Sequence, residues 1–236
     1  MSKAIVIATG VTAKGDREVL GLAVGDSEDG AFWTAFLRSL RARGLSGVRL
    51  VISDAHEGLK GAIAAVILGA AWQRCRVHFL RNVLARIPKG SAEMVLAAIR
   101  TVFAQPDAAA VAEQLDEIVE RLEPRFRVAA AMLAEAKADV TAFTAFPVSH
   151  WKKIWSTNPL ERVNKEIKRR TDVVGIFPNE VAVTRLAGAV LLEIHDEWAI
   201  AERRYLSEGS MARLDPARDD ELTKEVERAK TVLLAS

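Results

Sequence analysis

Three short stretches of this chain carry residue types that can do chemistry. The first is Val51-Ile52-Ser53-Asp54-Ala55-His56-Glu57-Gly58, where a carboxylate ends an apolar, β-branched run. Such a run reads as a buried strand, and an acid at its carboxyl end sits where open α/β sheets place their ligand crevice. The second is Cys75-Arg76-Val77-His78, a thiol and an imidazole three residues apart. Structural zinc takes four ligands. With a single cysteine and the other histidines at 56, 150 and 195, the Cys75–His78 pair does not make a zinc site by itself. The third is Ser156-Thr157-Asn158-Pro159-Leu160-Glu161-Arg162-Val163-Asn164-Lys165-Glu166-Ile167-Lys168-Arg169-Arg170. Asn158 suits a helix N-cap and Pro159 the first helical position, which puts Glu161 third, as in a capping box. Asn164, Lys165 and Lys168 share a helical face with Glu161 at i+3, i+4 and i+7. Two readings of Glu161 stand: a helix cap, or a metal ligand held beside a phosphate backbone.

The charge pattern bears on the second reading. From Leu59 to Ala92 every charged residue is basic: Lys60, Arg74, Arg76, Arg81, Arg86 and Lys89. Residues 162–170 add Arg162, Lys165, Lys168, Arg169 and Arg170 against Glu166 alone. A solvated face would explain either cluster. Their flanking of both acids favours phosphate contact, which is sequence-independent and sensitive to salt. His78 is placed to hydrogen-bond a phosphate or a carboxylate. His56 reads as touching DNA or, preferably, facing solvent, and Glu57 as orienting the site or, preferably, as a first-turn acid favoured by the helix dipole. Trp151 and Trp155 lie one helical turn apart; core packing is the simplest reading, and base stacking the other.

These residues need elements to position them. Residues 3–11 and 17–24 read as two strands of a hairpin, with Gly15 in the turn. Phe32, Trp33, Phe36, Leu37 and Leu40 have helical spacing within Asp29 to Arg43, and Gly44 follows as a stop. The strand ending at Asp54 comes next, then a helix over 57–68 and a strand over 71–77. Residues 78–146 are Ala- and Leu-rich and punctuated by Pro88, Pro106 and Pro124, which predicts three or more helices. Residues 147–156 read as a link, 159–170 and 179–205 as helices, and 218–233 as a helix in a polar tail.

Bulk properties bound the function. The chain has 236 residues, half of them hydrophobic and 27% charged, as in ordinary globular proteins. A net charge of +2 means that any nucleic-acid surface must be local. The single cysteine, Cys75, excludes an intramolecular disulfide and fits a reducing cytosol. No apolar run approaches the ~20 residues needed to span a bilayer.

The Asp54 motif, Cys75-Arg-Val-His78 and Trp155-Ser-Thr-Asn-Pro-Leu-Glu161-Arg-Val-Asn-Lys-Glu-Ile-Lys-Arg-Arg occur in this order. Together they resemble the Mutator-type transposases of bacterial insertion sequences, from residue 1 to about residue 206. The resemblance implies a helix-rich α/β fold: an RNase H-like mixed sheet interrupted by an all-helical insertion. The boundaries expected are 1–78 and 151–206 for the catalytic domain, 79–150 for the insertion and 207–236 for the tail. It implies metal-dependent strand cleavage and transfer at element ends by an Asp-Asp-Glu triad holding Mg²⁺ or Mn²⁺. Asp54 matches the second acid and Glu161 the third, with Cys75, His78 and Asn164 as site support. Arg74, Arg76, Arg81, Arg162, Lys165, Lys168, Arg169 and Arg170 are the expected DNA contacts. The first acid of that family lies on a central strand upstream of the opening hairpin, and no residue here matches it. The expectation is therefore an amino-terminally truncated chain, inactive alone and exposing unpaired strand edges. The implied partners are terminal inverted repeats, target DNA and further transposase copies, in a cytoplasmic, nucleoid-associated setting with no membrane. An alternative is a catalytically dead remnant that inhibits the full-length enzyme.

Overall fold

The computed structural model describes residues 4–26 and 29–214. The expected tail helix at 218–233 lies outside the described residues. The chain opens with an antiparallel hairpin of β1 (Ala4–Val11) and β2 (Arg17–Gly25), irregular between Ala8 and Thr9. Helix α1 (Gly30–Ala42) follows, its first turn capped by the Asp29 carboxylate accepting from the Ala31 amide. Strand β3 (Leu50–Ser53), helix α2 (Glu57–Val66) and strand β4 (Ala71–Arg74) form a parallel βαβ unit. The two strand pairs do not hydrogen-bond to each other. The described residues form a helix-rich α/β molecule with two small sheets.

Alternation along the strands explains the layers. On β1, Val6 joins a core with Phe36, Leu37 and Leu40 of α1 and Ala62, Ile63 and Val66 of α2. Its neighbour Ile7 faces the other way, into a core with Val163, Ile167, Ala187, Val190 and Leu191. Period-two alternation thus puts helices on both faces of one strand, and such a strand is apolar throughout. The second of these cores is supplied by α9 (Asn158–Val174) and α10 (Glu180–Ala199). Strand β3 alternates likewise: Val51 packs with the α1/α2 core, Leu50 and Ile52 with the largest core.

That largest core runs from Phe79 to Ile154. It is built by α3 (Arg76–Leu84), α4 (Lys89–Val102), α5 (Ala108–Leu122), α6 (Arg127–Glu135), α7 (Lys137–Thr141), a 3₁₀ turn at Ala142–Ala145 and α8 (Val148–Ile154). Gln73 joins it to the sheet. Its side chain is fully buried, donates to the Val140 and Arg74 carbonyls and accepts from the Phe143 amide.

Three segments differ from the sequence reading. The strand expected over 71–77 stops at Arg74, because Cys75 turns the chain and α3 begins at Arg76. The expected link at 147–156 contains α8, which buries His150, Trp151 and Ile154 on one face. Trp151 packs edge-on against Phe143 at 5.0 Å and donates to the Phe146 carbonyl, so it is a core residue. The helix expected over 179–205 ends at Ala199, and the chain then folds back so that the Leu206 amide donates to the Gly15 carbonyl. Gly15 has φ +88°, and a β-carbon there would stand 1.9 Å from the Leu206 oxygen, so this contact requires glycine. A short helix, α11 (Glu208–Ala212), follows.

Candidate active site

The ends of β3 and β4 and the starts of α3 and α9 meet at one place. Ser53 and Arg74 are partners in the parallel ladder, and the Cys75 amide extends it by donating to the Ser53 carbonyl at 2.7 Å. The next amide, of Arg76, donates to the Trp155 carbonyl, which draws the segment before α9 onto the end of β4. Thr157 then donates twice to the Cys75 sulfur, from its amide at 3.4 Å and its hydroxyl at 3.2 Å. One helical turn later Glu161 reaches His78, with 3.5 Å between Nε2 and Oε1. Asp54 follows Ser53 directly and is exposed, its Oδ1 accepting from the Ala55 amide.

This geometry removes the helix-cap reading of Glu161. Helix α9 starts one residue earlier than the sequence suggests, with Thr157 as N-cap and Asn158 already helical. Thr157 makes no side-chain cap, because its hydroxyl is spent on Cys75. Glu161 is therefore fourth, not third, and its own amide bonds to the Thr157 carbonyl as ordinary helix. A capping box does not form. The Glu161 Oε1 and His78 Nδ1 atoms are instead buried without a hydrogen-bond partner. At 3.5 Å the His78–Glu161 contact is an electrostatic one, too long for a firm hydrogen bond. Buried polar atoms without a protein partner commonly mark a bound ion or water. Cys75 Sγ, a ring nitrogen of His78 and a Glu161 oxygen all lie within 4.8 Å of one another.

The other expected site residues fall into groups. Arg74 and Arg76 are half-buried and stack on aromatic faces: Arg74 on Phe79 at 4.8 Å, Arg76 on Trp155 at 3.8 Å and on Phe103 at 4.8 Å. Burial, then repulsion from Arg100, lowers the Arg76 pKa, while Cys75 raises it. Arg169 and Arg170 both bond to Glu166, which holds that carboxyl down to about 2; Arg170 also reaches Glu193. Arg81, Arg162, Lys165 and Lys168 are exposed. They make no ion pair among the described residues. Asn164 is exposed on the Glu161 face of α9. Trp155 is held by Phe103, Phe143 and Arg76 rather than offered to a base. His56 is not a solvent-facing side chain: it is the N-cap of α2, its Nδ1 accepting from the Leu59 amide beside Trp33. Glu57 is an exposed first-turn acid, as expected from the dipole. Sequence reasoning missed Thr157, whose only signal was its place before Asn-Pro.

A family model described as "Transposase, Mutator family" matches residues 1–201. The chain belongs to the Mutator family of transposases. The transposase for insertion sequence element IS1081 of Mycobacterium tuberculosis is 53% identical over 201 residues, covering 85% of this chain and 48% of that protein. The transposase of IS256 in transposon Tn4001 of Staphylococcus aureus is 39% identical over 209 residues, covering 88% of this chain and 53% of that protein. The chain thus spans about half the length of the curated relatives it matches. All three motifs of this Mutator-family chain lie inside the matched span. No helix among the described residues is long and apolar enough to cross a membrane.

Proposed function

We propose that this chain is the catalytic portion of an insertion-sequence transposase, with Asp54 and Glu161 as two acids of a DDE-type site on an RNase H-like domain. One observation carries the reading: Cys75 links the strand end that bears Asp54 to the helix start that bears Glu161. The donor set suits a hard cation. Asp54 offers an exposed carboxylate, Glu161 a buried oxygen without a hydrogen bond, and Mg²⁺ or Mn²⁺ prefers such oxygens. Asp54 and Glu161, with a third acid, would hold a pair of such ions, which would supply activation of the attacking water or 3′-hydroxyl and charge stabilisation at the leaving oxygen. The protein's own groups orient and hold. His78 steadies the Glu161 side chain, and the Cys75–Thr157 bonds fix where α9 begins. Arg81, Arg162, Lys165 and Lys168 supply positive charge for the phosphate backbone of element ends and target DNA. The helices from Phe79 to Ile154 are read as the insertion within this domain.

A third acid would complete the set, and two acids in and after the hairpin already have partners. Asp29 caps α1, and Asp16 lies in the hairpin turn 3.7 Å from Arg204. The acid belongs on a strand lying between β1 and β3, whose outer edges have no backbone partner among the described residues. The 236-residue chain alone is therefore expected to bind metal weakly and to transfer no strands. The test is Mg²⁺-dependent cleavage of a donor plasmid carrying the flanking element DNA. A protein extended by a segment that supplies the third acid should cleave, and Asp54→Asn or Glu161→Gln should each lower the rate at least ~100-fold without weakening duplex binding. Cleavage that survives either substitution overturns the site. Robust cleavage by the 236-residue chain that Asp54→Ala abolishes overturns only its inactivity.

The same open edges favour a second reading, in which the chain docks onto a longer relative and poisons it. Co-expression should then lower the transposition frequency of an active element, and an unchanged frequency rejects this reading.

A further inference from the structure

We propose that Cys75 Sγ, His78 Nε2 and Glu161 Oε1 form a binding site for a zinc-class divalent cation, distinct in chemistry from the hard-cation site. The sequence spacing offers only a thiol and an imidazole; the fold adds a carboxylate from a helix more than eighty residues away. A sulfur, a nitrogen and an oxygen are the ligand types of zinc, and three protein ligands with a fourth position open is the arrangement of exchangeable or catalytic zinc. Zinc–nitrogen and zinc–oxygen bonds of about 2.0–2.2 Å put tetrahedral ligand atoms ~3.4 Å apart. The His78–Glu161 separation is 3.5 Å, so this pair already stands at the required spacing. The Cys75 sulfur, a ring nitrogen of His78 and a carboxylate oxygen of Glu161 lie within 4.8 Å of one another, so closing the sulfur onto a common ion takes a side-chain movement of about 1 Å.

Three further features fit an ion here. Cys75 is fully buried, and its sulfur accepts from both the amide and the hydroxyl of Thr157. Donors to a ligating sulfur orient it and stabilise its charge. Glu161 Oε1 is buried with no hydrogen bond of its own, so coordination would satisfy an acceptor that the protein leaves unpaired. Asp54 is not part of this trio, so a soft cation can enter without the full hard-cation set. Mg²⁺ does not compete for the thiolate and imidazole. One consequence rests on the function proposed above: a zinc ion here withdraws Glu161 from the hard-cation site, so zinc inhibits cleavage while Mg²⁺ supports it.

The binding test does not depend on that consequence. The 236-residue chain, with reduced Cys75, is titrated with Co²⁺ as a spectroscopic stand-in and then with Zn²⁺. The expected result is a sulfur-to-cobalt charge-transfer band that saturates at one equivalent, is displaced by Zn²⁺ and persists in excess Mg²⁺. His78→Asn and Glu161→Gln should each weaken Co²⁺ binding by at least about tenfold, no less than the loss of an outer partner costs. Asp54→Asn should leave it unchanged. Both ligand substitutions are at half-buried positions, and circular dichroism checks their folding independently of Cys75→Ser. No band, or a band that survives His78→Asn and Glu161→Gln in folded protein, overturns the proposal. A band lost in Asp54→Asn also overturns it, because it would mean one shared site. Cobalt binding without any cleavage activity in the extended protein would leave this site standing and reject the two-metal reading.

Discussion

At the scale of single residues, the same charge does different things depending on what faces it. Eight of the basic residues flanking the two acids are the expected DNA contacts, and the fold sorts them. Arg76 lies between the rings of Trp155 and Phe103, where its cation is held by π-faces and its pKa is pulled down by burial. Lys165 projects from the exposed face of α9, one turn beyond Glu161. The two should respond oppositely to truncation. Arg76→Ala should cost about 1–2 kcal/mol of stability, seen as a lower urea midpoint, since two desolvated cation–π contacts are lost. Lys165→Ala should leave the midpoint unchanged, weaken duplex binding alike for all sequences and reduce the salt slope of binding by about one. A lower urea midpoint for Lys165→Ala, or an unshifted one for Arg76→Ala, would reverse this sorting. The charge count could not make the distinction, because aromatic partners more than twenty residues away decide it.

At the scale of elements, what was legible in the sequence is what local physics dictates. The hairpin, α1, β3 and α2 are readable because alternation, helical spacing, Gly15 and Gly44 act within a few residues. The start of α3 was not: residues 75–77 continue a strand-like run, yet Cys75 caps and Arg76 begins a helix, with the Arg76 amide tied to the distant Trp155 carbonyl. Asp54 and Glu161 could be singled out from their motifs, whereas the role of Thr157 depends on Cys75, a contact 82 positions away. Gln73 shows the same limit, as a buried polar residue in a strand whose partners lie 67 and 70 positions on. It ties β4, and with it the site, to the α7–3₁₀ segment. Gln73→Leu would leave the Phe143 amide and the Val140 carbonyl buried and unpaired, at a cost of about 2–4 kcal/mol. Urea unfolding measures this directly. A loss below about 1 kcal/mol would mean that water reaches both groups and that Gln73 does not anchor the sheet to the helices.

At the scale of the whole molecule, His150 ties α8 to α11 through a backbone hydrogen bond with Ser210. It is 1% exposed, with an unpartnered Nε2. Burial lowers its pKa first, repulsion from Arg213 and Lys153 lowers it further, and a backbone hydrogen bond with Ser210 offsets part of this. The sign of the linkage follows. In the unfolded chain the imidazole titrates near its ordinary value of about 6.5, and in the folded protein it titrates lower. Between those values the unfolded state binds more protons, so stability falls as pH drops through this window. Above about 6.5 both states are neutral at this site and the effect vanishes; below the folded value it levels off. The slope contributed by one proton is at most about 1.4 kcal/mol per pH unit. Thermal or urea midpoints taken from pH 7.5 down to pH 5 should therefore decline for the parent chain and decline less for His150→Leu, which keeps the site apolar. Parallel declines would assign the acid sensitivity to other groups, and a steeper decline in His150→Leu would mean that the imidazole is charged in the folded state and held by its Ser210 bond.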